Sequence, residues 1–196
     1  MTRTKLVLPA ALILAVLATS TVAYSALTSG GPSSDPFVVG GGRITPPSTT
    51  GLDIGFRDFS IDAHTKNGRR TFGILRYGNN LNPVESTRLG DVRCVRIEEN
   101  RAVVGGTTRG SSPTEGWVMF FVDNGAPGGP VDQASYLQVE PLDPSLQSPG
   151  FPGWPRGFPH KCPSPTTGPG ADAYGGGFLN VDAGDVIVSA GSHLDD

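Results

Sequence analysis

The chain is short of most of the residues from which catalytic and redox sites are assembled. Among 196 residues there are two cysteines, three histidines and two tryptophans, and only 17% of residues are charged. No Cys-x-x-Cys pair occurs, which removes dithiol redox chemistry and the common zinc sites. His64, His160 and His193 have no metal-ligand spacing and read as surface residues. There is no Asn-x-Ser/Thr sequon, no phosphate-cradling glycine loop and no Gly-x-Ser-x-Gly elbow. Beyond the N-terminus no stretch of about 12 residues has helical apolar periodicity. Nor is there an excess of positive charge: 15 Lys and Arg are interspersed with 18 Asp and Glu, net −3. No nucleic-acid partner is expected of such a chain.

Glycine and proline are abundant instead, at 28 and 18 residues. They cut the chain into short segments and favour strands and turns over helices. The hydrophobic fraction of 37% is low but gathered in bursts. That pattern suits one folded domain with long polar connections rather than disorder.

The N-terminus explains where such a domain works. Arg3 and Lys5 precede an uncharged run through residue 34, with an apolar heart at 6–18 and small residues at Thr21, Ala23, Ser25 and Ala26. Residues 1–26 therefore read as a secretory signal, cut after Ala23 or Ser25. In a second reading residues 6–27 stay as an uncleaved transmembrane anchor, since roughly 20 apolar residues span a bilayer. Either way the expected location is secreted or extracytoplasmic, free or tethered. Residues 27–36 read as a linker and 192–196 as a C-terminal tail. Cys94 and Cys162, in an oxidising compartment, are expected to form one disulfide. In the chain-entropy account a bridge over so long a loop contributes roughly 4 kcal/mol.

Residues 37–191 read as a single all-β domain, an antiparallel sandwich or partly closed barrel of about eight short strands. Strands are predicted at 37–44, 54–64, 70–77, 92–98, 101–108, 116–123, 134–139, 178–181 and 185–190. Asn67-Gly68 marks a hairpin, because both residue types tolerate positive φ; Glu99-Asn100 marks a second. Phe59, Ile61 and Ala63 are expected to face the core, with Phe72 and Ile74 from the next strand. Around residue 120, Val118, Phe120 and Val122 alternate with Trp117, Met119 and Phe121, so this strand is apolar on both faces and central. A Pro/Gly-rich insertion, 141–177, holds nine prolines and is expected to form a long loop tied down at Cys162.

Three constellations invite chemistry. Val38-Val39-Gly40-Gly41 and the 125–130 loop look like pieces of a trypsin-like protease. The nucleophile position, however, is Pro127, and His64 lacks the cysteine that usually follows the catalytic histidine. Asp123, Asn124 and Asp132 flank a tight turn and could offer oxygens to calcium, the one cofactor the chain suggests. The plainer reading makes them turn caps through Asx hydrogen bonds. Phe151, Trp154 and Phe158 could form a platform for sugar rings or a peptide; the plainer reading has them cover an open face of the sheet. Glu98-Glu99 and Asp195-Asp196 are sequence neighbours and form no acid/base dyad.

The order of these features resembles an uncharacterised group of secreted bacterial β-domains. The pieces are the Gly-rich opening strand Gly40 to Ile44, the Phe-x-Ile-x-Ala strand at Phe59 and the Gly-x-Leu-x-Tyr strand at Gly73. They continue with the cysteine strand at Val92, Ala-Val-Val-Gly-Gly at Ala102, the Asp-Asn-Gly-x-Pro-Gly…Asp loop at Asp123, and a Gly-rich closing strand into Asn180 and Val181. The resemblance implies an antiparallel β-domain of exported or surface proteins, with no activity and no catalytic residue to carry over. The expected function is an exported, non-enzymatic binding or structural module, its partner a cell-envelope polymer or surface protein. The alternatives are a hydrolase pairing Asp123 or Asp132 with Asp58 or Asp62, and a barrel carrying a small apolar ligand.

Overall fold

The computed structural model describes residues 35–45, 55–80, 87–109, 114–125, 130–166, 174 and 177–191. The chain divides into two units, Met1–Gly31 and Pro32–Asp196, and every described residue belongs to the second. The export segment 1–26, its cleavage points, the linker up to residue 34 and the tail 192–196 lie outside the described residues.

Among the described residues nine strands follow one another: β1 (Phe37–Ile44), β2 (Arg57–Lys66), β3 (Arg70–Asn79), β4 (Arg88–Glu98), β5 (Arg101–Thr108), β6 (Glu115–Val122), β7 (Gln133–Ser135), β8 (Gln138–Pro141) and β9 (Phe178–Ser189). All neighbours are antiparallel, in the order β5-β4-β3-β2-β1-β9-β7-β6-β8, and β5 also pairs with β6. That last pairing closes eight strands into a barrel. The short β7 and β8 share the other edge of β6, β7 beside Phe121 and Val122 and β8 beside Glu115 to Val118. The fold is all-β and antiparallel, and of the two architectures expected it is the barrel. The only helical turn among the described residues is a 3-10 turn at Pro144–Leu146.

Local chemistry sets the hairpins. Asn67 and Gly68 have φ of 53° and 61°, and the Arg69 amide donates to Lys66 O at 3.1 Å. Glu99 turns the second hairpin with φ 58°. The fixed register then decides the faces: Ala63 pairs with Gly73, Ile61 with Leu75 and Phe59 with Tyr77. The inner residues of β3 are therefore Leu75 and Tyr77, not Phe72 and Ile74. Phe72 pairs with His64 and points outward, 44% exposed. The expectation was one residue out of phase, which exchanges the two faces of a strand.

Strand ends shift by up to four residues, as at β2 and β4, and in two places the strands divide differently. The strand expected over 134–139 is split, because Ser135 replaces the ladder there: its Oγ accepts from Phe120 N at 3.0 Å and donates to Tyr136 O at 2.8 Å. The two strands expected at 178–181 and 185–190 are one, β9. A register shift against Arg43 and Ile44 absorbs the extra residue as a bulge.

Side chains fill the interior. Trp117, Met119 and Phe121 of β6 meet Phe59, Ile61 and Leu75 from the opposite wall, as an eight-stranded barrel allows. Trp117 Nε1 donates to Thr107 O at 3.0 Å, so burying the indole leaves no unmet donor. The outward residues of the same region, Cys94, Val103, Val118 and Phe120, are buried as well. Their cover is the proline-rich segment, a strap bonded at Cys94–Cys162 over a sequence separation of 68. Just beyond the bridge, Glu98 accepts hydrogen bonds from Ser164 Oγ and Thr166 Oγ1 and pairs with Arg96.

Replacing both cysteines by alanine should lower the stability of the oxidised protein by about 2–4 kcal/mol. Because the strap loses its anchor, Trp154 fluorescence should shift to the red in the native state. A denaturation midpoint equal to that of the parent would show that the strap holds without the bond.

Candidate functional site

The sequence-predicted residues fall into two groups, and the structure brings each together. The first lies where β6 and β7 meet β9. β9 has twelve residues but β7 only three, which pair with Phe178, Leu179 and Asn180. The N–H groups of β9 beyond that point need other acceptors. Val181 N donates to Asp132 O at 2.8 Å. Val186 N donates to Asp132 Oδ2 and Val188 N to Asp123 Oδ2, each at 2.9 Å. The remaining carboxylate oxygens cap the loop itself: Asp132 Oδ1 accepts from Asn124 N and Asp123 Oδ1 from Gly125 N, both at 2.9 Å. Asn124 Nδ2 reaches Val131 O at 2.7 Å. The loop is thus a side-chain substitute for the missing length of β7.

All four oxygens face amide donors, an arrangement that a cation would have to displace. Among the described residues no group of three or more His, Cys, Asp or Glu side chains is arranged to hold a metal ion. The expected hydrolytic pairs do not form: Asp58 is held by Arg43 and Asp62 by His64 on β2, and β1 lies between β2 and β9. The partner missed in the sequence is Asp185. Its carboxyl hydrogen-bonds to Asp132, and this bond, then burial, then the charges of Asp132 and Asp123, raise its pKa above the ordinary carboxylate range. Nothing but the pairing of β9 against the loop could have flagged it.

The second group is the aromatic strap. Trp154 stacks on Phe158 at 4.0 Å between centroids, with Phe151 edge-on to Trp154 at 4.8 Å. Tyr174, a fourth ring missed in the sequence, joins Phe151 at 5.6 Å and Phe120 at 5.9 Å, and its hydroxyl donates to Gly153 O at 3.1 Å. Burial pushes that hydroxyl above its ordinary pKa. Trp154 Nε1 donates to Pro141 O at 3.0 Å. The rings sit over bare glycines: a Cβ on Gly105 would lie 2.9 Å from Phe158, and one on Gly116 2.9 Å from Leu142 and 3.2 Å from Trp154. Phe151, Trp154 and Phe158 are half-buried and Tyr174 is buried. Trp154 and Tyr174 are fixed by their polar atoms, the phenylalanines by ring contact, and together they cover the outer face of β5 and β6.

Clefts among the described residues include two on the surface. One, ≈ 380 Å³, lies beside Arg88, Thr108, Arg109 and Glu115, where Arg88 meets Glu115 at 3.5 Å and Arg109 meets Asp91. The other, ≈ 300 Å³, lies between β3 and β4. Comparison with family models, with curated proteins and with solved structures returned no match. The class is therefore set by the fold alone: a small closed β-barrel with one added strand and a disulfide-anchored strap.

Trp154→Ala should lower stability by about 2 kcal/mol, below the range for a fully buried tryptophan because the ring is only half covered. An unchanged melting temperature would leave the rings free for a ligand. The Asp185 shift gives a prediction with a sign. A carboxyl whose pKa is raised on folding stabilises the fold below its ordinary value, about 3.9, and this contribution is lost as pH rises through the folded value. Asp185→Asn keeps a donor toward Asp132 at every pH. Its urea midpoint at pH 7 should exceed the parent's, and the two should converge near about pH 3. Glu98 and Asp143, held below the ordinary range chiefly by Thr166 and Ser145, act in the opposite direction in both proteins and cancel. Equal midpoints at pH 7 would remove the raised pKa of Asp185 as a contribution to stability.

Proposed function

We propose that this barrel is an exported, non-enzymatic module with a binding or structural role at the cell envelope or outside the cell. The observation that carries the reading is the Cys94–Cys162 bridge. A structural disulfide on which the cover of a whole barrel face depends persists in oxidising compartments and is rare in the cytosol. It agrees with the export signal read at residues 1–26 and with the resemblance to secreted bacterial β-domains. Among the described residues no helix is long and apolar enough to cross a membrane; the tether that the sequence suggests is the segment 6–27. The non-enzymatic part rests on how the acids are used: Asp123 and Asp132 each present both oxygens to backbone amides. A loop-bearing, disulfide-braced β-scaffold is a common platform for recognition. A hollow carrier has less support, because Trp117, Phe121 and their neighbours occupy the interior.

The purified protein, mixed with cell envelopes of the organism that encodes it and centrifuged, should pellet with them, and EDTA should not release it. Remaining in the supernatant would refute the envelope role, and release by EDTA would restore calcium at Asp123 and Asp132. Mass spectrometry of the native chain should find its first residue at Tyr24 or Ala26; a start at Met1 or Thr2 would favour the anchor.

A further inference from the structure

We propose that the outer groove where β3 and β4 part binds an anionic sugar chain, with Arg70 and Arg93 gripping its carboxylates and Phe72 stacking on its rings. The inference deepens the envelope-module reading and rests on it for its biological setting, although the groove itself is argued from geometry.

The groove has a local cause. β3 and β4 pair only from Ile74 to Tyr77, against Asp91 to Arg88. Past Asp91 the register of β4 on β5 shifts between Val92 and Cys94, leaving Arg93 as an extra residue. A bulge bends its strand, and here β4 departs from Arg70–Gly73 of β3. The ≈ 300 Å³ cleft that results is lined by Arg70, Thr71, Phe72, Asp91 and Arg93 among others.

Charge at this place runs against that of the whole chain, which is net −3. Lys66, Arg69 and Arg70 cluster at the β2–β3 turn, and Arg93 and Arg96 lie on the facing strand. The acids nearby are already engaged. Asp91 is held by Arg109 and, at 3.8 Å, by Arg93. Asp62 is held by His64 at 2.6 Å. Glu98 is held by Arg96, Ser164 and Thr166. Among the described residues Lys66, Arg69, Arg70 and Arg76 belong to no ion pair. Guanidinium groups match carboxylates through paired N–H donors, so the groove favours an anion with forked oxygens.

The aromatic residues narrow the class. Phe72 is 44% exposed. It stacks on His64 at 5.6 Å, and His64 lies 6.0 Å from Phe37, so three rings cross β3, β2 and β1 in a row. Unlike the strap rings, Phe72 lies outside both buried clusters. A ring face beside unpaired cations suits a molecule that carries C–H faces and carboxylates together. Arg70 and Arg76 are six residues apart on the same face of β3, about 20 Å, which leaves room for a chain rather than a single sugar.

Affinity electrophoresis tests the groove, with the full chain run through gels containing polygalacturonate, neutral dextran or a single-stranded DNA oligonucleotide. Polygalacturonate should retard the parent, and salt should relieve the retardation. Arg70→Gln and Phe72→Ala should each weaken binding about tenfold at an unchanged melting temperature, whereas Arg156→Gln in the strap should bind as the parent does. The proposal falls if polygalacturonate gives no retardation, if dextran retards equally, or if both groove variants bind like the parent. Tighter binding of DNA would overturn the sugar class. The two readings fail separately. Groove variants that still pellet with envelopes like the parent remove this site and leave the module. A parent that binds polygalacturonate but not envelopes leaves the site and removes the envelope role.

Discussion

Strand β6 has no polar face, and most of the architecture answers that fact. From Gly116 to Val122 every residue is buried. A strand of this kind needs apolar cover on both sides, and a barrel supplies only the inner one. The closing pair with β5 buries Trp117, Met119 and Phe121. Val118 and Phe120 on the outside would remain wet without a second layer. The strap is that layer, and several otherwise unrelated features serve it. Cys162 bonds it to β4, Glu98 fastens the segment beyond the bridge, and Gly105 and Gly116 leave the space into which Phe158 and Trp154 descend. Dense proline suits a segment that must lie flat on a sheet without joining its ladder, since each proline removes a donor that would otherwise need a partner.

A second mismatch, between a long β9 and a short β7, explains the acidic loop. Closing a barrel requires every inner edge to find partners. Here carboxylate oxygens stand in for strand carbonyls at Val186 and Val188. Hydrogen bonds to ionised acceptors are stronger than neutral ones, so two side chains replace what would otherwise be several ladder residues. The arrangement brings Asp185 against Asp132, and the neighbouring negative charge disfavours ionising Asp185. A motif that looks like a ligand cage in one dimension is an edge seal in three.

The legible parts of the sequence were those where a local rule has a single outcome. Asn67-Gly68 permits only a tight turn, the two-faced β6 permits only a central position, and a chain with two cysteines permits one internal bridge. The illegible parts depended on partners far along the chain. Phe72 belongs to an apolar run, and nothing in its own segment says which face turns inward. The register from the turn says it: Lys66 opposite Arg70 places His64 beside Phe72 and Ala63 beside Gly73, and Ala63 is inward. Asp185, Tyr174 and the bulge at Arg93 had no comparable signal, because each acquires its role only when a distant segment packs beside it. The split after Ser135 is of the same kind, set by a serine side chain that reaches Phe120.

The same demands sort the polar and aromatic residues by function. The strap and the β9 seam take up the rings and carboxylates that attracted attention in the sequence, and they hold those groups by hydrogen bonds and packing. On the opposite side of β4, the bulge at Arg93 frees β3 from its neighbour. Lys66, Arg69 and Arg70 of the β2–β3 turn enter no ion pair there, and Phe72 stays 44% exposed beside His64. An unpaired arginine and a half-exposed phenylalanine contribute little to a fold: the ring leaves apolar surface in water, and the charges repel one another. That imbalance, confined to one groove of an acidic protein, is where a ligand would gain most from binding.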